Sequence, residues 1–245
     1  MIVYGATDKG KVRPNNEDNF AFGLLEDACY SVVCDGMGGV EGGEIASKIA
    51  VDTIKEKIEL AYSPKMGMGA IERMLVSAVT AANVKIYDYA CEHDLRGMGT
   101  TAVAAIVKDD CVYIAYDGDS RAYVLNDDIR LLTTDHTYLN ELLRLGRITE
   151  EQMQKDPRKH IITRALGVSE SIDVDTVIED ISPGDAILLC SDGVYNCLSD
   201  EQLLEIYRQS DAEDISQQYI RKANDNGGID NITLTIMINQ EEKNG

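Results

Sequence analysis

The sequence predicts an α+β protein made of two antiparallel β-sheets, each with a pair of helices on its outer side and with one surface flap. Three observations carry this. The order of elements is strands, two helices, strands, two helices, strand, with no internal repeat or low-complexity segment. The strands in the middle follow one another through turn signals instead of alternating with helices, which argues for antiparallel pairing and against a βαβ series. The first helix, 44–62, confines its polar residues to a narrow stripe of Lys48, Asp52, Lys55 and Glu59 while Ile45, Ile49, Val51, Ile54 and Ile58 spread widely, so it must be covered on most sides.

Residues 1–7 read as a strand, followed by the polar loop from Asp8 to Asp18 and a second strand over 19–25. Tyr30 to Cys34 is a short apolar, β-branched run that Asp35-Gly36 breaks. Asp35 is therefore expected at a strand end, facing solvent. The cluster Gly36, Gly38, Gly39, Gly42 and Gly43 follows, and it leaves backbone amides and carbonyls bare enough to approach an ion or a phosphate. A carboxylate beside bare backbone suits a hard cation, although an isolated Asp-Gly is more often an ordinary turn.

The helix 70–91 carries its own polar line through Arg73, Ser77 and Thr80. Strands at 100–107, 111–116 and 121–125 come next, and Asn126-Asp127-Asp128 signals a hairpin into 129–132, so this region reads as an antiparallel meander. Residues 135–167 change character. Short helical patches at 138–145 and 150–154 lie between polar breaks with little apolar material to anchor them, the pattern of a surface flap. Strands return at 173–178 and 186–190, and helices follow at 200–208 and 212–224. The final run alternates Ile232, Leu234, Ile236 and Ile238 with Thr233, Thr235 and Met237, which predicts a half-buried strand.

The 245 residues suffice for one large domain with a substantial core, no linker divides them, and 44% hydrophobic with 27% charged residues is an ordinary globular profile. A net charge of −20 argues against a nucleic-acid backbone or an anionic membrane as partner, since both would be repelled. Six scattered cysteines without a Cys-x-x-Cys pair read as reduced core thiols. With no basic, apolar leader and no apolar run of membrane-spanning length, a cytoplasmic protein is expected.

Five aspartates stand where a strand meets a loop: Asp18, Asp35, Asp119, Asp192 and Asp230. If gathered they would repel one another by a few kcal/mol per close pair, so a converged set implies a cation. Spacing alone leaves open whether they converge or are unrelated turn residues.

The segments Arg13-Pro-Asn-Asn-Glu-Asp18, Asp35-Gly-Met-Gly-Gly39, Gly99-Thr-Thr101, Gly118-Asp-Ser-Arg-Ala122, Asp135-His136, Thr163-Arg-Ala-Leu-Gly167, Ser191-Asp-Gly193 and Asp230-Asn231 resemble, in order and over nearly the whole chain, the motifs of the metal-dependent protein phosphatase 2C family. The lack of long extensions resembles its compact bacterial members. The resemblance implies an α-β-β-α sandwich as a single catalytic domain over 1–245, with the flap at about 135–167. It implies hydrolysis of phosphoserine and phosphothreonine in proteins by a water activated at a binuclear manganese or magnesium centre, opposing a serine/threonine kinase. By the same resemblance Asp35 bridges two ions, Gly36 offers its carbonyl to one, and Asp192 and Asp230 complete the other. Glu17 and Asp18 hold the waters of the ions, Asp119 with Asp192 binds a third, weaker ion, and Arg13 binds the substrate phosphate. These are oxygen ligands, which suit manganese or magnesium better than zinc. A pseudophosphatase that binds phosphoproteins without turnover is the rival reading, against which the intact ligand aspartates count. A two-metal nuclease is a third, disfavoured by the charge.

The chain departs from the family at the general acid. Relatives often carry a histidine at the positions of Met37 or Val40, neither of which can donate a proton here. Of the three histidines, His93 is expected on the surface after a helix, and His136 and His160 in or beside the flap. A water held at the third ion by Asp119 is the favoured donor, with the histidines contributing less.

Overall fold

The computed structural model describes residues 1–239, and the side chains of 39–41 lie outside that description. Two five-stranded antiparallel sheets stack face to face. The first sheet holds, in spatial order, β1 (Ile2–Asp8), β12 (Ile232–Ile238), β11 (Ala186–Cys190), β8 (Arg121–Leu125) and β9 (Ile129–Leu131). The second holds β10 (Asp175–Asp180), β7 (Cys111–Asp117), β6 (Ala102–Lys108), β3 (Ala28–Cys34) and β2 (Asn19–Leu24). Helices α1 (Gly39–Ala61) and α2 (Met68–Glu92) pack outside the second sheet. Helices α6 (Asp200–Gln209) and α7 (Ile215–Asp225) pack outside the first, after the short α5 (Asp192–Tyr195).

Strand periodicity explains the layering. Along β6, Val103, Ala105 and Val107 face the space between the sheets, and Ala104 and Ile106 face α1 and α2. Ile54, Ile58, Ile71 and Leu75 meet Tyr30, Val32 and Ile106 there. Each such fully buried aliphatic side chain stabilises the fold by about 1.5–3 kcal/mol. β12 was expected to be half-buried, yet it is buried on both faces. It pairs with β1 on one side and β11 on the other, so Leu234 and Ile236 lie under the helices while Met237 lies between the sheets. Thr233 and Thr235 tolerate burial because their hydroxyls pair, Thr7 with Thr233 at 2.6 Å and Ser31 with Thr235 across the sandwich.

Three further expectations change. The expected meander is split, because β7 and β8 belong to different sheets and the chain crosses between them at residues 118–120. The first helix begins at Gly39, inside the glycine cluster, despite the poor helix propensity of glycine. Gly36–Met37 forms a short strand, β4, paired with β5 (Gly99–Thr100), and Gly43 of the first helical turns packs directly on it. Cys91 is exposed and not a core thiol, although all six cysteines are free. The flap contains α3 (Tyr138–Arg144) and α4 (Glu150–Lys155), and its two stems are pinned by isolated bridges between Thr137 and Ile162 and between Thr100 and Leu166. Among the described residues no helix is long and apolar enough to cross a membrane.

Candidate active site

One pocket of about 680 Å³ lies at the edge of the sandwich, lined by Arg13, Glu17, Asp35, Gly36, Asp119, Asp192, Asp230 and Asn231. Each acidic side chain arrives from a different strand end. Asp35 follows β3 and is clamped through its backbone. Its carbonyl accepts from Thr101 N–H and from the Thr100 hydroxyl, both at 2.8 Å, and its N–H donates to the Thr101 hydroxyl at 3.0 Å. That hydroxyl also meets Ser120 at 2.7 Å, so the Gly-Thr-Thr segment ties Asp35 to the crossing that carries Asp119. Asp35 was expected to face solvent; its carboxylate is instead recessed in this pocket.

Gly36 is held by its pairing with Thr100. A Cβ on Gly36 would lie 2.2 Å from the Gly43 carbonyl oxygen, so only glycine lets the α1 start sit against this backbone. Asp192 stands at the start of α5 and accepts from the Asn196 amide at 3.0 Å. Asp230 precedes β12 and takes the Arg13 guanidinium at 2.6 Å. The neighbouring Asn231 staples the polar loop in place: its carbonyl oxygen accepts from Glu17 N–H at 2.8 Å, and its amide donates to the carbonyls of Lys9 and Asn15 at 2.9 and 2.8 Å. Asp18 sits beneath the pocket, almost fully buried, with one oxygen accepting from Ser191 at 2.7 Å and the other without a partner among the described residues.

Asp119 is fixed from behind. Its carbonyl accepts from Tyr195 at 3.1 Å, the Tyr195 ring lies under the Arg121 guanidinium, and Arg121 holds Asp135 through two bonds of 2.9 and 2.8 Å. Of the histidines, His93 is exposed at the end of α2, as expected. His136, on the first flap stem, is buried. His160 is exposed and lines the same pocket as the aspartates.

The electrostatics of this pocket are unbalanced. Burial first, then repulsion from Asp18 and Asp192, raises the Asp35 carboxyl well above its ordinary range. Asp192 is pushed up to about 8 by burial and by Asp230 and Asp119. Burial also lifts Asp18 to about 6, against the bond from Ser191, and Asp119 to about 6, with Asp135 adding to it. Glu17 is raised, mainly by burial. Arg13 answers part of this, its own pKa raised by the bond to Asp230. Crowded acids that resist ionisation mark a place where a cation gains energy. Among the described residues no three acidic, histidine or cysteine side chains are already closed around one ion position. The carboxylates line the wall of one pocket. Three carboxylates, a bare carbonyl and room for water nevertheless fit hard divalent ions, which keep several waters when bound. Cys34 and Cys190 lie next to the site, but burial pushes the Cys190 thiol up to about 12 and that of Cys34 well above its usual value, so neither is a nucleophile.

Thr101, Ser191 and Asn196 escaped sequence reasoning as individual residues. Thr101, Ser191 and Asn231 lie inside the motif segments, which offered the only signal for them; Asn196 gave none. His160 was placed in or beside the flap by the sequence, which gave no sign that it reaches the pocket of the aspartates.

The protein phosphatase 2C family model matches residues 10–232. The serine/threonine phosphatase stp of Listeria innocua is 41% identical over 242 residues, which cover 94% of this chain and 93% of that protein. The solved serine/threonine phosphatase of S. agalactiae superposes with a TM-score of 0.89 at 31% identity, covering 97% of this chain and 99% of that one. The catalytic domain of the serine/threonine protein phosphatase PstP in complex with 2 manganese ions gives a TM-score of 0.82 at 32% identity, with 96% of each chain covered.

Proposed function

The chain belongs to the protein phosphatase 2C family, and from that membership we propose that Asp35, Gly36, Asp192 and Asp230 hold two manganese or magnesium ions at which phosphoserine and phosphothreonine are hydrolysed. It is a serine/threonine protein phosphatase, acting on phosphorylated proteins. The observation that carries the finer reading is the convergence of Asp35, Asp192 and Asp230 from three distant strand ends on one pocket with the Gly36 backbone, with Asp35 and Asp192 reluctant to ionise. The two manganese ions in the PstP catalytic domain support the same complement here.

Bound divalent ions supply Lewis-acid activation of an attacking water and offset charge on the phosphoryl group. The residues of the chain do the rest. Arg13, half-exposed at the mouth, offers a planar guanidinium to two phosphoryl oxygens and exchanges its bond with Asp230 for them. Glu17 on the pocket wall and the free oxygen of Asp18 beneath it accept hydrogen bonds from water that fills the site. Asp119, with Asp192, would hold a third, weaker ion, which would supply an acidified water. The phosphorylated protein substrates would include a cognate serine/threonine kinase.

A serine or threonine alkoxide needs a proton as it leaves, worth roughly a hundredfold or more in rate. Met37 has none to give, and the side chain of Val40 lies outside the described residues. The third site remains the favoured source. His160 is a second candidate because it lines the same pocket. Comparing Asp119→Ala with His160→Gln on a phosphoserine peptide separates them: the first loses turnover if Asp119 governs the proton, the second if the imidazole does. Equilibrium dialysis tests the metal reading itself. Two or more manganese ions per chain are expected, and none would refute it.

A further inference from the structure

Asp119 stands on a turn that does not hold itself. Gly118 has φ of +111°, and a Cβ there would lie 2.6 Å from the Thr101 side chain. His136 grips this glycine at two points: its backbone N–H donates to the Gly118 carbonyl at 3.0 Å, and its Nδ1 accepts the Gly118 N–H at 3.0 Å. A ring nitrogen that accepts carries no proton, so the proton resides on Nε2, which faces Asp175 Oδ2 at 3.1 Å. Asp117 Oδ1 is also 3.3 Å from Nδ1, but makes no hydrogen bond with it and already accepts from Arg164 at 2.8 Å. The ring stacks on Tyr116 with centroids 5.2 Å apart. The His136 carbonyl takes both the N–H and the hydroxyl of Thr163, at 2.8 and 3.1 Å, on the returning flap stem. One buried residue therefore joins the turn before Asp119, both flap stems and β10. None of its atoms lines the pocket that holds the aspartates.

We propose that His136 is a positioning residue for Asp119: its unprotonated Nδ1 fixes the Gly118 N–H and so aims the Asp119 carboxylate into the catalytic pocket. The proposal rests on Asp119 holding the third ion. It differs from a general packing role because it assigns the effect to one nitrogen. An outer residue that orients a ligand in this way commonly controls metal affinity by about 10–100-fold.

Two substitutions divide the ring's functions. His136→Asn places an acceptor oxygen where Nδ1 stands and gives up the contact with Asp175. His136→Gln reaches toward Asp175 and leaves Gly118 N–H without its acceptor. The readouts are manganese bound per chain by equilibrium dialysis, thermal unfolding without metal, and the ratio of phosphoserine-peptide to aryl-phosphate turnover. Expected for His136→Gln is a weakest manganese site loosened by about tenfold or more and a lowered ratio, as in Asp119→Ala. His136→Asn should stay within about twofold of the parent on both, and adding His136→Gln to Asp119→Ala should not lower the ratio further. The proposal is overturned if His136→Gln lowers unfolding temperature and both activities alike with manganese binding unchanged, or if the Asn and Gln variants fall together. Where Asp119→Ala itself alters neither manganese binding nor the ratio, the third-ion reading fails and the proposal falls with it. A loss seen in Asp119→Ala but absent in His136→Gln overturns the proposal alone.

Discussion

Arg13 and Asp230 meet across nearly the whole sequence, Nη2 to Oδ2 at 2.6 Å, at the mouth of a pocket otherwise dominated by carboxylates. The pair is half-exposed on the arginine side, so its contribution to stability is small, under about 1 kcal/mol. Under the proposed function its value would lie in placing a guanidinium where phosphate arrives. Arg13→Ala should raise KM for phosphopeptides and lower kcat/KM by about tenfold or more, while metal-free unfolding temperature changes little. Steady-state kinetics beside a thermal melt checks this, and an unchanged kcat/KM would remove Arg13 from the phosphate site.

The raised carboxyls make the metal-free protein sensitive to alkali. Asp18 and Asp119 near 6 and Asp192 near 8 bind protons more tightly folded than unfolded, so their contribution is fully present below pH 3.8 and is lost as pH rises from there to 6 for Asp18 and Asp119 and on to 8 for Asp192. Unfolding temperature in the presence of chelator should therefore fall over that window. Asp192→Asn should melt higher than its parent at pH 8, by about 2–4 °C for each kcal/mol of repulsion relieved, and no differently near pH 4. The same variant should be inactive at saturating manganese. A parent whose chelated form is most stable at pH 8 would contradict the charge balance described here.

Gly193 holds the segments of Asp192 and Asp230 together. A Cβ there would lie 1.9 Å from the Asn231 carbonyl oxygen, a backbone atom that cannot step aside cheaply. Gly193→Ala should push α5 away from the β12 entry, separating Asp192 from Asp230. The expected signature is weakened manganese binding together with lowered stability, measured by calorimetry and denaturant titration. Wild-type values in both would show that the contact is not needed.

The flap should control which phosphoprotein is accepted more than it controls chemistry. Its outer part is exposed, and α4 contains no buried residue, in contrast to the pinned stems. Substitutions between Leu142 and Lys159 should shift preference among phosphopeptides by several times more than they change aryl-phosphate hydrolysis. Equal losses on both substrate types would assign the segment a structural role.

The aspartates at strand ends and the two helical pairs were legible because period and punctuation are local properties of the chain. Strands β3 and β11 could be read to within two residues for the same reason. The start of α1 could not, since its glycines are chosen for packing against β4 and Glu17 and override helix propensity. The split of β7 and β8 between sheets was hidden because a tight crossing and a hairpin share the same turn residues. His136 shows the limit most clearly. The sequence placed it in or beside the flap but gave no sign of its burial, which comes from the flap stem and β10 closing over it from segments 27 and 39 residues away.

In the proposed reaction, phosphoester hydrolysis runs on divalent ions held by Asp35, Asp192 and Asp230. The most direct measurement is turnover of a phosphothreonine peptide by the chelated protein as manganese is returned. Expected are no turnover before addition, saturable recovery afterwards, and no recovery in Asp35→Asn or Asp192→Asn at any manganese concentration. Hydrolysis by the chelated parent at the manganese-saturated rate, or full recovery in either variant, would contradict it.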